Sequence, residues 1–312
     1  MTVETLQVPA YRTFPVRVAR VQRLSPSFLR VTFTGPEMDA FASNGFDQRI
    51  KVMLPLPGRG TLDCPAGDDW YGAWRALPPE RRMPIRTYTI RALRTEVGEV
   101  DVDFVLHGAT GPASAWAERA GVGDEVVLVA PNASFPGPTG GFEWHPPADA
   151  SCLLLAGDET AVPAICAIVE SLPGGQHARV LLEVPTAADA LDVAAPSGVR
   201  ISWLPRWPAD GTAAAPRGQL LAAAVAETVH ELGDLLAPSP VVELSDVDVD
   251  AEILWEIPAV DAAPTASSGV YAWLAGEAGV VKGLRRHLVQ EVGIDRRSVA
   301  FMGYWREGRG SD

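Results

Sequence analysis

Between residues 130 and 150 the hydrophobic residues of this chain change their period, and that change bounds the fold more tightly than any other feature. Before it, apolar positions alternate with polar ones. Residues 16–24 (VRVARVQRL) and 28–35 (FLRVTFTG), parted at Ser25-Pro26, set valines against arginines, the period of half-buried antiparallel strands. Residues 49–54 form a third such run, and 86–94, 99–106 and 124–130 add three more with turn signals between them. This spacing predicts a small antiparallel six-stranded β barrel. From Ala150 the alternation stops. SCLLLAGDETAVPAICAIVESL is a continuous apolar strand, a sharp turn and a helix; strands at 179–184 and 199–204 follow, then a helix from about Gln219 to Leu232. Apolar strands separated by helices predict an α/β domain with a parallel sheet covered on both faces. The chain thus reads as a barrel domain over residues 1–148 and an α/β domain over residues 149–312.

The chemistry in the barrel half concentrates in residues 83–91, MPIRTYTIR. Alternation places Arg86, Tyr88 and Ile90 on one side of a strand and Thr87, Thr89 and Arg91 on the other, so each face holds a polar group that is costly to bury alone. A ligand with an aromatic plane and phosphates would satisfy them: the tyrosine ring stacks, the arginine fork matches a phosphate, and threonine donates to a ring atom. An edge strand with exposed arginines fits the same residues. Downstream, GPASAWAERA from Gly111 reads as a short helix with Pro112 in its first turn and the Ser114 hydroxyl near the free amides, an arrangement suited to an anion. The 55–84 connection is too long for a structureless loop, so it is functional or partly helical around residues 70–77.

The pattern Arg-x-Tyr-Thr-x-Arg resembles the FAD-binding motif of siderophore-interacting proteins, flavin-dependent ferric-siderophore reductases related to ferredoxin reductases. Further stretches resemble the same family in the same order: 103–108 (DFVLHG), 111–117 (GPASAWA), 156–164 (AGDETAVPA), and 271–277 with 303–306 (GYWR). The resemblance implies an FAD-binding barrel followed by a nucleotide-binding α/β domain, a ferredoxin-reductase-like fold. On the matching positions it implies that Arg86, Thr87, Tyr88, Thr89, Asp103, Phe104, Val105, His107, Gly111, Ala113 and Ser114 hold FAD. His107 either meets the flavin or is satisfied by backbone. The resemblance also brings the turn with Asp158, Thr160 and Ala161 to the meeting place of nicotinamide and flavin, with Thr160 capping a helix. Gly276 and Glu277, at the carboxyl end of a parallel strand, are placed for the same cofactor, and Trp305 ends the last strand either as a ring at that junction or as a buried aromatic at a sheet edge. The turn itself lacks Gly-x-Gly-x-x-Gly, and Asp158 and Glu159 would repel a pyrophosphate if they pointed at it.

Charge narrows the class of partner. The net charge is −13, and residues 157–265 alone hold 17 acidic and 4 basic residues. Such a field argues against nucleic acid. No apolar run reaches the ~18 residues of a membrane span, and the N-terminus lacks a signal-peptide core, so a cytoplasmic protein without membrane insertion is expected. Cys64, Cys152 and Cys166 show no metal or disulfide spacing, so any redox cofactor is organic or bound elsewhere. Lys51 and Lys282 are the only lysines. Lys51 follows Arg49 by two positions and shares its face; with Arg306 these make a candidate patch for an anionic ferric siderophore. Arg206 suits a 2′-phosphate and Glu183 a free ribose, which point to opposite dinucleotides. The expected activity is transfer of electrons from NAD(P)H, or a ferredoxin, through FAD to a ferric siderophore by a monomer. A general flavin reductase of the same architecture and a non-enzymatic siderophore carrier are the alternatives.

Overall fold

Every backbone amide at the rim of a sheet needs a partner, and this requirement shapes the N-terminal unit. The computed structural model describes residues 8–65, 67–107, 111–208, 211, 213–236, 254–258 and 269–308. The chain parts into two units between Phe142 and Glu143. The first contains β1 (Tyr11–Arg23), β2 (Phe28–Thr34), β3 (Arg49–Met53), α1 (Trp70–Ala76), β4 (Ile85–Thr89), β5 (Ala92–Arg94), β6 (Glu99–Val105), α2 (Pro112–Ala117) and β7 (Glu125–Pro131).

These seven strands form one sheet in the order β4-β3-β7-β1-β2-β6-β5, with every pairing antiparallel. Its two ends meet in one stretch of chain. Residues 85–94 pair with β3 through β4, bend at Ile90 and Arg91, and pair with β6 through β5; the Ile90 amide still donates to the Gln48 carbonyl while the Arg91 amide donates to Asp101. The expected single strand at 86–94 is therefore two, and the barrel has seven strands where six were expected. β1 also serves two neighbours, pairing with β7 over Tyr11–Arg17 and with β2 over Arg17–Arg23, the latter pairing carrying a bulge between Val18 and Arg20. Phe14, Val16, Val18, Val31, Phe33, Val52, Val100, Val102 and Phe104 fill the interior, and Trp116 of α2 stacks on Phe33 to close one end.

The second unit contains β8 (Cys152–Gly157), α3 (Val162–Glu170), β9 (Ala178–Val184), β10 (Val199–Pro205), α4 (Gln219–Glu231), β11 (Trp255–Glu256), β12 (Val270–Glu277), α5 (Ala278–Arg286) and β13 (Val299–Trp305). The order is β10-β9-β8-β12-β13-β11, parallel except for β11. Each residue of β8 and β12 is buried, as unbroken apolar runs in a sheet covered on both faces require. The chain winds outward from β8 to β10 and returns to lay β12 on the other side of β8, so the strand order reverses between β8 and β12. One boundary differs from expectation: α2 stops at Ala117, where the sequence reads as helical to Ala120. In the second unit α5 runs on into a π turn, His287–Glu291, and β11 is two residues long. Among the described residues no helix is long and apolar enough to cross a membrane.

Glu183, at the end of β9 and wholly buried, accepts the Gly218 amide at 2.7 Å and the Leu221 amide at 3.1 Å, and Arg206 stands 3.6 Å away. A carboxylate thus satisfies the first turn of α4, which has no capping side chain of its own. Glu183→Ala should destabilise this unit by ~3 kcal/mol, because it strands two buried amides and part of a buried cation. Urea unfolding checks this; a loss within error would show that Glu183 is dispensable to the fold.

Candidate functional site

In the first unit, register decides what the Arg-x-Tyr-Thr segment can reach. Arg86 lies opposite Val52 and Tyr88 opposite Ile50, so both share the face of the barrel interior, while Thr87 lies opposite Lys51 and Thr89 opposite Arg49 on the outer face. Tyr88 rests against Phe104 with ring centroids 4.3 Å apart, and burial pushes its phenol above the usual tyrosine range. Arg86 donates from Nη1 to the Ile85 carbonyl at 2.8 Å and makes no ion pair among the described residues. Neighbouring arginines on the wall contrast with it. Asp103, 2% exposed, accepts a two-pronged bond from Arg30 at 2.7 and 2.8 Å and has Arg91 at 3.6 Å; Arg94 is held by Glu99 and Asp101. Burial alone would raise Asp101, yet Arg94 and Thr32 hold it below the usual carboxylate range.

The strand and helix that follow supply the rest. Phe104 is core, and Val105 offers its carbonyl to the Ser114 hydroxyl at 3.3 Å. That hydroxyl also lies 3.4 Å from Nε2 of the exposed His107, so it turns toward β6 instead of toward the helix amides as the sequence suggested. Gly111 precedes α2 in extended backbone, and Ala113 packs into the barrel core. Gly108 of the quoted motif lies outside the described residues. On the outer face Lys51 donates to the Thr87 hydroxyl at 2.7 Å; burial, then the charge of Arg49, draws its ammonium below the usual lysine range. The set fits an FAD: a half-exposed cation without a carboxylate partner, an aromatic ring backed by Phe104, and a polar His107–Ser114 pair where the helix begins.

In the second unit the carboxyl ends of β8 and β12 form the reversal point of the sheet, the place where open α/β sheets take ligands. Asp158 organises it. Its carboxylate accepts the Thr160 amide at 2.9 Å and hydroxyl at 2.5 Å, the Glu277 amide at 2.8 Å and the Trp305 indole N–H at 2.8 Å. Thr160 is thus tied back to Asp158, and α3 begins at Val162 with Ala161 at its N-cap and no side-chain cap, which corrects the capping role expected of Thr160. Burial, then the charge of Glu159, raises Asp158 to about 6 against the pull of its donors. Glu277 caps α5 by accepting the Val280 amide at 2.9 Å and receives Arg306 at 3.0 Å. Gly276 has φ +148°, and a Cβ there would stand 2.8 Å from the Asp158 carboxyl carbon.

Sequence reasoning missed Arg217. It donates to Glu159 at 2.6 Å and lies 4.7 Å over the Trp305 ring, in a crevice with Asp158, Gly218, Gly276 and Glu277 that is too tight to hold a water molecule. The available signal was scarcity: two of the four bases between 157 and 265, Arg206 and Arg217, end on Glu159. Arg206 also reaches Glu183, so the two residues that suggested opposite dinucleotides are occupied with each other and choose neither. Of the expected siderophore patch, Arg49 and Lys51 share a face, whereas Arg306 is spent on Glu277.

Comparison with known proteins agrees with both units. Residues 17–135 match the family described as the siderophore-interacting FAD-binding domain, and residues 150–308 match the family described as siderophore-interacting protein. The ferric vibriobactin reductase ViuB of Vibrio cholerae is 29% identical over 296 residues, covering 94% of this chain and 89% of that one. A siderophore utilization protein from T. fusca superposes with a TM-score of 0.68 at 27% identity, covering 98% and 97%. The ferredoxin reductase of carbazole 1,9a-dioxygenase, 15% identical, shares the fold at a TM-score of 0.61 over 96% of this chain and 71% of that one.

Two outcomes are expected. Arg86→Ala should lose a charge-assisted contact of ~1.5–3 kcal/mol, which is roughly ten- to 150-fold in FAD affinity, read by flavin titration; wild-type affinity would move the phosphates elsewhere. Because folding raises Asp158, its contribution to stability is complete below the unfolded carboxylate range and declines as pH rises through about 6. The same proton should change Trp305 emission with a midpoint near pH 6, a component that Trp305→Phe lacks.

Proposed function

The chain belongs to the siderophore-interacting protein family, and from that premise we propose that it is an FAD-dependent ferric-siderophore reductase drawing electrons from NAD(P)H. The observation that carries this reading is Arg86: in a chain of net charge −13, the motif's arginine stands beside Tyr88 with no ion-pair partner among the described residues. A phosphate is the group its fork would meet.

Bound FAD would accept a hydride and release electrons singly, which nicotinamide cannot do toward iron. The chain's own residues hold and orient. Arg86 would clamp the pyrophosphate, Tyr88 would lie against the flat ring system, and Thr89 would supply a donor at its edge, with Ser114 and His107 meeting the phosphates from the helix side. At the reversal point of the sheet, where a reduced dinucleotide would come, Gly276 lets the Asp158 carboxyl pack against the strand end, and Asp158 fixes Trp305 there through its indole N–H. Arg49 and Lys51 would draw an anionic ferric complex. Iron is the substrate: oxygen donors that grip hard Fe(III) hold Fe(II) weakly, so reduction releases it. No side chain needs to transfer a proton.

The test is anaerobic reduction of ferric siderophores by the flavin-loaded protein with NADH or NADPH, Fe(II) being trapped by a coloured chelator. Reduction of free flavin without any ferric complex would make it a general flavin reductase, and siderophore binding by a protein that takes no flavin would make it a carrier. Within this scheme Gly276→Val should keep FAD and its reduction by dithionite but slow reduction by NAD(P)H at least tenfold, an effect of ~1.4 kcal/mol or more. Equal rates would remove this strand end from the reaction.

A further inference from the structure

The connection between β3 and β4 has no task in the scheme above. It lies over the outer face of the barrel, where Met53, Met83, Val127 and Val129 are buried and Leu56, Cys64, Trp70 and Ile85 pack against them. From α1, that small core takes in Trp70 alone. The helix nevertheless carries Tyr71 and Trp74, and none of its residues is buried. Tyr71 is 51% exposed.

The two rings are arranged. They stack with centroids 5.8 Å apart and planes 14° from parallel, and the Trp74 indole N–H is anchored on the Met83 carbonyl at 2.9 Å. Arg75 lies 6.0 Å over Tyr71 and Arg82 lies 5.9 Å over Trp74. Arg82 is itself fixed, donating to the Leu77 and Arg75 carbonyls at 2.7 Å each. Both cations stand at the C-terminal end of α1. Asp68 and Asp69 are at the other end, where Asp69 caps the Gly72 amide, and Asp63 is taken up by Arg59 and Arg81. On the same outer face, two residues before Met53 and two after Ile85, stands the Lys51–Thr87 pair.

We propose that Tyr71 and Trp74, with Arg75 and Arg82, form a subsite for the aryl rings of an anionic, catechol-bearing ferric siderophore. The proposal rests on the reductase reading and adds the class of substrate. A ferric tris-catecholate is a polyanion with flat, electron-rich rings at its rim. Rings of that kind stack on tyrosine and tryptophan and lie against guanidinium planes, while Lys51 and the two arginines answer the charge. A ferric tris-hydroxamate offers neither the rings nor the charge, so this ledge would separate the two classes.

The test uses the flavin-loaded protein and two probes, the ferric complexes of a synthetic tris-catechol and a synthetic tris-hydroxamate chelator. Tyr71→Ala should raise the KM for the tris-catechol complex roughly three- to tenfold, in line with loss of one aromatic contact, and leave that for the tris-hydroxamate unchanged. Tyr71→Phe should behave as wild type. Quenching of tryptophan emission by the tris-catechol complex, measured without an electron donor, should weaken to the same extent in Tyr71→Ala. Equal effects on both complexes, or on neither, would overturn the subsite and leave the reductase standing. If the wild type reduces neither complex yet still reduces ferricyanide, the reductase reading fails, and quenching that Tyr71→Ala weakens would still support the ledge. Binding to anionic lipid vesicles that depends on Tyr71, with no preference between the complexes, would assign the ledge to a membrane surface and overturn the proposal.

Discussion

The hydrogen bonds at the two rims of the N-terminal sheet converge on one stretch of ten residues, and much of the unit's chemistry depends on that closure. Residues 85–94 give their first half to β3 and their second half to β6, with the change of partner at Ile90 and Arg91. Because the one segment pairs with strands at both ends of the sheet, it cannot shift register without losing bonds to β3 and to β6 together. The bend also divides the motif's two arginines. Arg91, past the bend, is spent on Asp103 and holds the wall together; Arg86, before it, is not. One short sequence thus pairs one arginine with a carboxylate of the wall and leaves the other without one among the described residues.

The second unit answers a related demand by other means. A parallel sheet leaves strand ends and helix starts with unpartnered amides, and the usual solution at the first turn is a glycine-rich loop filled by a phosphate. Here a buried carboxylate takes that position. Asp158 collects the amide of β12's last residue and the indole of β13's last residue, so three strand ends are fastened at one point. Glu183 does the same for α4 and Glu277 for α5. Buried charge of this kind is costly unless fully bonded, and cations answer it: Arg306 reaches Glu277, Arg206 reaches Glu183 and the neighbouring Glu159, and Arg217 reaches Glu159.

Arginine is the dominant cation throughout, and its planar fork suits this use, since it can meet two carboxylate oxygens at once. Asp63, Asp103 and Glu159 each receive two arginines. Against that background a few cations carry no carboxylate partner among the described residues: Arg86 at the barrel interior, Lys51 on the outer face, and the two arginines over the rings of α1.

The sequence by itself determined the class of each half and nearly every strand, because alternation and unbroken apolar runs report directly on whether one face or both faces of a strand are buried. It also marked residues 83–91, since two arginines, a tyrosine and two threonines in one strand are costly without a ligand. What it could not determine was which of those polar groups are used up by the fold. Asp103 against Arg30 and Arg91, Glu183 against the start of α4, and Thr160 against Asp158 all read as site residues or cofactor contacts until their partners, distant in the chain or hidden in a turn, are known. Arg217 had no motif at all. Whether a charged side chain is available depends on what lies within ~3 Å of it, and only the tertiary structure brings Arg206 and Arg217, 47 and 58 positions along the chain from Glu159, onto that single carboxylate.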